Sequence, residues 1–201
     1  PREEGSSGST GPITAFGIYV GLKACAKFIW GDEKLQGKKI AVQGLGAVGE
    51  PLLGYLREGG LEVIATDVNE ETVQRLQRQY GFRAVKPNAI YEVECDIFCP
   101  CAMGGILNDQ TVPRLKCKLV AGSANNQLED EERHGRMLHE RDILYAPDYI
   151  INAGGVIQVI DELQGFNPER VSMKTEKIYH RLLDIFEKAK KEKILPLEAA
   201  N

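Results

Sequence analysis

Several features that would have pointed elsewhere are missing from the sequence. No uninterrupted apolar run approaches the roughly 20 residues a membrane-spanning helix needs, so no membrane role is expected. No charged n-region with an apolar h-region is found, so no signal peptide is read. The 25 basic residues form no stripe, the 29 acidic residues form no tail, and the net charge is −4. That balance argues against a nucleic-acid partner. The five cysteines, Cys25, Cys95, Cys99, Cys101 and Cys117, are odd in number and lack paired spacing. A disulfide framework is therefore not expected, and a reducing, cytoplasmic setting is. Cys95-x3-Cys99-x-Cys101 lacks the C-x2-C spacing and nearby histidine of a zinc site, so no metal is assigned. Cys99 and Cys101 fall in a run read as a buried strand, where cysteine serves as a small hydrophobe. His134, His139 and His180 lie on segments read as solvated helices, and surface roles are expected for them. No internal repeat is present.

What is there is organised around residues 39–67, KIAVQGLGAVGEPLLGYLREGGLEVIATD. The apolar run Ile40-Ala41-Val42 reads as a strand. Gly44-Leu45-Gly46-Ala47-Val48-Gly49 follows with GxGxxG spacing, and a helix is expected from Ala47 to Glu58. Gly44 permits a tight turn, Gly46 leaves room for a pyrophosphate against the backbone, and Gly49 lets the helix approach the sheet. The helix start offers unpaired N–H groups and the positive end of its dipole to phosphates. A second strand, residues 63–66, delivers Asp67 and Val68. Asp67 is placed to accept hydrogen bonds from the adenosine ribose hydroxyls, and its charge opposes a 2′-phosphate, so NAD is favoured over NADP. A GxGxxG alone is weak; the strand before it, the helix after it and the acidic residue about 20 positions on make it specific. The alternative is a βαβ unit with structural glycines and a surface aspartate.

The 201 residues suffice for one well-buried domain with extra helices. Residues 1–11 are rich in Gly, Ser and Thr and read as a linker or domain boundary. A helix is expected over 12–30, with Ile13, Phe16, Val20, Ala24 and Phe28 as its apolar stripe. Asn69 is expected to cap a helix to Tyr80, closed by Gly81. Further strands are expected at 83–85, 96–100, 118–121 and 143–146, with a short helix capped by Asp109 and a charged one over 129–140. A helix over 155–164 places Val156, Val159, Ile160 and Leu163 on one side, and a long helix runs from Pro168 to Lys193. Strands alternating with helices imply α/β architecture: a Rossmann-type, doubly wound, mostly parallel sheet with flanking N- and C-terminal helices, over residues 12–201. Such folds bind ligands at strand carboxyl ends, here the glycine turn, Asp67, residues 123–127 and residues 152–155.

Five segments, GPITAFGIY, GLGAVG, ECDIFCPCAMGGILND, VAGSANNQL and YAPDYIINAGGVIQVIDEL, resemble the Glu/Leu/Phe/Val amino-acid dehydrogenase family, and within it the leucine dehydrogenase-like branch. The resemblance covers nearly the whole chain, and SANNQ followed by APDYxxNAGG is its most specific part. It implies NAD-dependent oxidative deamination of a small L-amino acid to a 2-oxo acid and ammonia, in a two-domain, homo-oligomeric parent enzyme. It implies that Thr14 and Asn152 hold the nicotinamide carboxamide and that Cys101 and Ala102 lie beside the adenosine ribose. Ala124, Asn125 and Asn126 would run along the nicotinamide side, with Asn126 reaching toward the substrate. Val156 and Val159 match positions lining the side-chain pocket, where two valines suit a branched aliphatic group; equally, both could be plain core. The family's catalytic lysines, one in a Gly-Gly-Gly-Lys segment, belong to a preceding domain. No such segment occurs here, so no catalytic residue is named. The chain opens at Pro1 and closes on LPLEAAN, and we expect it to be a piece of a longer protein. A non-enzymatic NAD-sensing module is the competing class; it would need neither asparagine loop. A phenylalanine- or glutamate-type enzyme is the competing substrate class.

Overall fold

The computed structural model describes residues 8–201. Of the expected linker, residues 1–7 lie outside the described residues, and helix α1 (Gly11–Trp30) already begins at its last position. Six strands, β1 (Lys39–Gln43), β2 (Glu62–Thr66), β3 (Arg83–Ala84), β4 (Ile97–Pro100), β5 (Leu119–Val120) and β6 (Leu144–Tyr145), form one sheet in the order β3-β2-β1-β4-β5-β6. Every pairing is parallel. The winding direction reverses between β1 and β4, so the loops leaving those strands diverge and open a crevice at their carboxyl ends.

Alternation along each strand divides the core. Ile40 and Val42 of β1 and Ile97 and Cys99 of β4 face one cluster, while Ala41 and Phe98 face the other. The first face is covered by α1, α2 (Gly49–Glu58), α3 (Glu70–Tyr80) and α7 (Pro168–Glu192). The second is covered more thinly, by α4 (Glu131–Glu140), two 3-10 turns (Pro87–Glu92 and Val112–Arg114) and Leu197 of α8 (Pro196–Ala200). The double winding is therefore uneven. The helix expected from Asp109 reduces to one 3-10 turn, because the Asn108 side chain takes the Gln110 and Thr111 N–H groups into a local turn. Asp109 instead pairs with Arg133.

The expected caps of α3 are present. Asn69 accepts from the Thr72 N–H at 3.0 Å, and Gly81 ends the helix in the left-handed region. Helix α2 starts two residues later than expected, at Gly49, because residues 46–48 form a turn. The α1 stripe is also shifted. Ile13, Phe16 and Phe28 are only half-buried, whereas Ala15, Ile18, Leu22 and Cys25 are fully buried. By length and composition α1 is apolar enough to cross a membrane, which a search for unbroken apolar runs passes over. Its packing against α2, α7 and α6 (Gly154–Glu162) makes it a core helix. His134 corrects the surface reading of the histidines. It is 2% exposed, its Nδ1 accepts from the Asp130 N–H at 2.9 Å, and its Nε2 lies 3.3 Å from Asp109.

Candidate functional site

The glycine turn is explained by its neighbours. Gly44 has φ +100°, and a Cβ there would sit 2.7 Å from that of Ala102. It is thus required both by the turn and by contact with the β4 loop. A Cβ on Gly49 would lie 2.0 Å from the Gly44 carbonyl oxygen, which seats the start of α2 on the strand exit. Gly46 differs from both: its Cβ would point into open space, so no protein atom demands glycine there. A bare backbone facing open space at a helix start is what a pyrophosphate requires. Asp67 is built into this turn. One carboxylate oxygen accepts from the Leu45 N–H at 2.7 Å and the other from the Asn69 N–H at 2.9 Å. Each oxygen keeps a lone pair for a ribose hydroxyl. Val68 beside it is 88% exposed. Ala47 meets the start of α1, where a Cβ on Gly11 would lie 2.0 Å from its carbonyl oxygen. Cys101 stands at the same crevice: its Cβ would be 3.8 Å from one added at Gly49, and its N–H donates to the Gln43 carbonyl at 2.7 Å.

Val48 carries the turn into a second cleft of about 380 Å³, lined also by Thr14, Ser123, Asn125, Asn152, Val156 and Val159. Asn152 Nδ2 donates to Asn125 Oδ1 at 2.6 Å and to the Ser123 carbonyl at 3.2 Å. The Thr14 hydroxyl donates to the Thr10 carbonyl at 2.9 Å. Glycine again permits the approach. A Cβ on Gly154 would be 2.5 Å from the Ile13 oxygen, and one on Gly155 would be 2.9 Å from Thr14 Oγ1. Larger hollows lie at the amino ends of β1 and β2, about 640 Å³, and beside α4 and α7, about 590 Å³. Neither adjoins the glycine turn.

Gln127, inside the 123–127 loop but given no role of its own, and Asp148 hold this side together. Gln127 is fully buried; its side-chain amide donates to the Gly122 and Ala124 carbonyls at 2.9 and 3.0 Å. Its N–H donates to Asp148 Oδ2 at 3.2 Å, and the Asp148 carbonyl accepts the Asn152 N–H at 2.9 Å. The two asparagine loops are thereby braced to each other. The signal was in SANNQ, where the glutamine passed as another polar loop residue. Residues 148–151, between the sixth strand and the Asn152 loop, form the short helix α5 (Asp148–Ile151).

Asn125, not Asn126, faces the cleft. Asn126 is exposed with φ +50°, and its carbonyl accepts the Gly105 N–H at 2.8 Å, while Ala124 is buried behind the loop. Val156 and Val159 are not core: they are 61% and 50% exposed at the cleft. Helix α6 turns its polar side inward instead. Asp161 is fully buried and accepts from Arg170 Nε and Nη2 at 2.6 and 2.8 Å, Lys174 Nζ at 3.1 Å and the Asn167 N–H at 2.9 Å. The Arg170 hydrogen bonds hold its carboxyl well below the usual carboxylate range.

The Glutamate/Leucine/Phenylalanine/Valine dehydrogenase family profile matches residues 62–199. Leucine dehydrogenase of Thermoactinomyces intermedius is 55% identical over 197 residues, 98% of this chain and 54% of that protein. Phenylalanine dehydrogenase of the same organism is 48% identical over 203 residues, 100% of this chain and 55% of that protein. The crystal structure of L-tryptophan dehydrogenase from Nostoc punctiforme superposes with a TM-score of 0.93 at 44% identity, over 94% of this chain and 57% of that one. The chain spans about half the length of the curated relatives it matches. A glycine turn with a tethered aspartate, an asparagine pair across the neighbouring cleft and a family match over residues 62–199 agree: the chain belongs to the Glutamate/Leucine/Phenylalanine/Valine dehydrogenase family.

Proposed function

We propose that residues 12–201 are the dinucleotide-binding domain of an NAD-dependent, homo-oligomeric amino-acid dehydrogenase that oxidatively deaminates a branched-chain L-amino acid. The observation that carries this reading is Val48, which ends the glycine turn and also lines the cleft holding Thr14, Asn125 and Asn152. One continuous surface thus offers a phosphate seat at one end and paired amides at the other. Bound there, the nicotinamide would supply the hydride acceptor for the substrate α-carbon. Residues 44–49 would hold the pyrophosphate, with Asp67, Val68, Cys101 and Ala102 around the adenosine ribose. Thr14 and Asn152 would hold the carboxamide, since a hydroxyl and an amide together match its donor and acceptor. The Asn152–Asn125 hydrogen bond fixes which Asn152 atoms point outward. Ala124 backs this loop, and Asn126, exposed at its lip, would reach the amino acid. Val156 and Val159 offer an exposed apolar surface on the same cleft, which suits an aliphatic side chain better than a carboxylate.

No cleft-lining residue among those described carries an acid–base group near neutrality. The proton transfers at the amine then need a group from elsewhere in the enzyme, and this chain alone should bind NAD without turning over leucine, valine or phenylalanine. Titration calorimetry of the chain with NAD and NADP tests the cofactor assignment. NAD should bind at least about tenfold tighter, 1.4 kcal/mol, because Asp67 repels a 2′-phosphate. Equal affinities would remove that role from Asp67, and absence of NAD binding would overturn the reading.

A further inference from the structure

We propose that Cys99 and Cys101 are an oxidisable dithiol at the dinucleotide crevice: hydrogen peroxide closes a Cys99–Cys101 disulfide that weakens nucleotide binding, and bound nucleotide protects the pair. The second half rests on the NAD-binding reading above; the first does not.

The geometry is local and specific. Cys99 lies in β4 and Cys101 directly follows the strand's end at Pro100, and the two sulfur atoms lie 3.6 Å apart. Cys99 is buried and Cys101 is half-buried. Cys101 stands at the point where the sheet reverses direction, beside Gly49, and the next residue, Ala102, packs against Gly44. Residues of the turn assigned to the pyrophosphate therefore adjoin Cys101.

Reactivity is concentrated on one sulfur. Hydrogen bonding to Cys101, reinforced by burial, raises the Cys99 thiol. The same contact, supplemented by the hydroxyl and backbone of Ser123, lowers Cys101. Burial pushes the remaining thiols up, Cys95 to about 11, Cys117 to about 12 and Cys25 higher still. Cys101, lowered and only half-buried, is the nucleophile.

The chemistry balances with peroxide as oxidant. The Cys101 thiolate attacks one peroxide oxygen, the O–O bond breaks, and the departing hydroxide takes a proton to become water. Cys101 is then a sulfenic acid. The Cys99 sulfur attacks the Cys101 sulfur, the S–O bond breaks, and the hydroxide leaves with the Cys99 proton as a second water. Two thiols have lost two electrons, and peroxide has gained them. Closing the bond to about 2.05 Å draws the sulfurs together by about 1.5 Å. Closing a disulfide across a single intervening residue requires the backbone at 99–101 to shift out of its extended form, so the link forms under strain and is readily reduced. The same strain pulls the β4 exit, where Ala102 already fills the space beside Gly44.

The test treats the chain with hydrogen peroxide, with and without saturating NAD, and follows intact mass, peptide mapping and NAD titration. We expect loss of two hydrogens within the peptide spanning 99–101, reversed by dithiothreitol. NAD affinity should fall by about fivefold or more in the oxidised protein and recover on reduction, and saturating NAD should slow the oxidation. Cys99→Ala should halt at a dimedone-reactive sulfenic acid on Cys101. No disulfide, or one involving another cysteine, overturns the dithiol. A correct disulfide with unchanged NAD affinity and no protection overturns the coupling. Titration of the reduced protein judges the NAD reading separately.

Discussion

The two ends of the crevice are built by different means. The glycine-turn end comes from one βαβ unit: residues 44–49 and Asp67 lie within 24 positions of each other, and their bonds join neighbouring strand exits. The amide end gathers Thr14, Ser123, Asn125, Asn152 and Val156 from the first helix, two strand exits and α6. The first uses backbone N–H groups and missing side chains. The second uses side-chain amides, which need orienting, and Gln127 and Asp148 are buried behind it for that purpose. A site made of backbone carries its support within itself, whereas a site made of amides requires a second layer.

The glycines offer the sharpest way to break this contrast. Gly49→Ala puts a methyl 2.0 Å from the Gly44 carbonyl oxygen. It should destabilise the chain by about 3 kcal/mol, since backbone on both sides leaves little room to yield. Gly46→Ala meets nothing; its stability should change by under about 1 kcal/mol while NAD affinity falls by about tenfold or more. Urea melts and NAD titrations of the pair distinguish structure from ligand demand. Similar melts for both would show that Gly49 is not what seats the helix.

At the amide end the loss should appear in chemistry more than in binding. Asn152→Ala removes the bonds to Asn125 and Ser123. In the complete enzyme it should slow single-turnover hydride transfer by about 10²-fold, roughly 2.7 kcal/mol, with the adenosine half still held. An unchanged rate would leave Asn152 as a brace between loops.

The smallest effect on stability belongs to the valines. Val159→Ala trims a half-exposed side chain on α6 and should move the thermal midpoint by no more than about 0.5 kcal/mol allows. In the complete enzyme, the preference for a branched over a shorter aliphatic amino acid should shift by about tenfold, the scale of one or two methylenes in a pocket. A large stability loss with constant preference would return Val159 to the core.

Local rules were sufficient wherever one segment determines its own conformation. Asn69 before a helix with acidic residues in its first turn, Gly81 after it, and glycines spaced around a strand-to-helix turn each act through atoms a few residues apart. The α/β alternation and the parallel sheet were legible for the same reason: strand and helix periodicities are read within each segment. Tertiary structure decided the rest. His134 sits on a charged helix and is buried because Asp109 and the Asp130 N–H, from elsewhere and from the cap, receive it. Helix α6 has an apolar face, and periodicity alone would bury it. The buried Asp161, clamped by Arg170 and Lys174 from α7, turns the helix over and presents the valines to the cleft. Which of two adjacent asparagines faces inward was likewise settled by the Gly105–Asn126 backbone bond. A sequence specifies which side chains can pair, but a choice between faces here depends on partners 9 to 25 residues away, and only the folded chain brings those together.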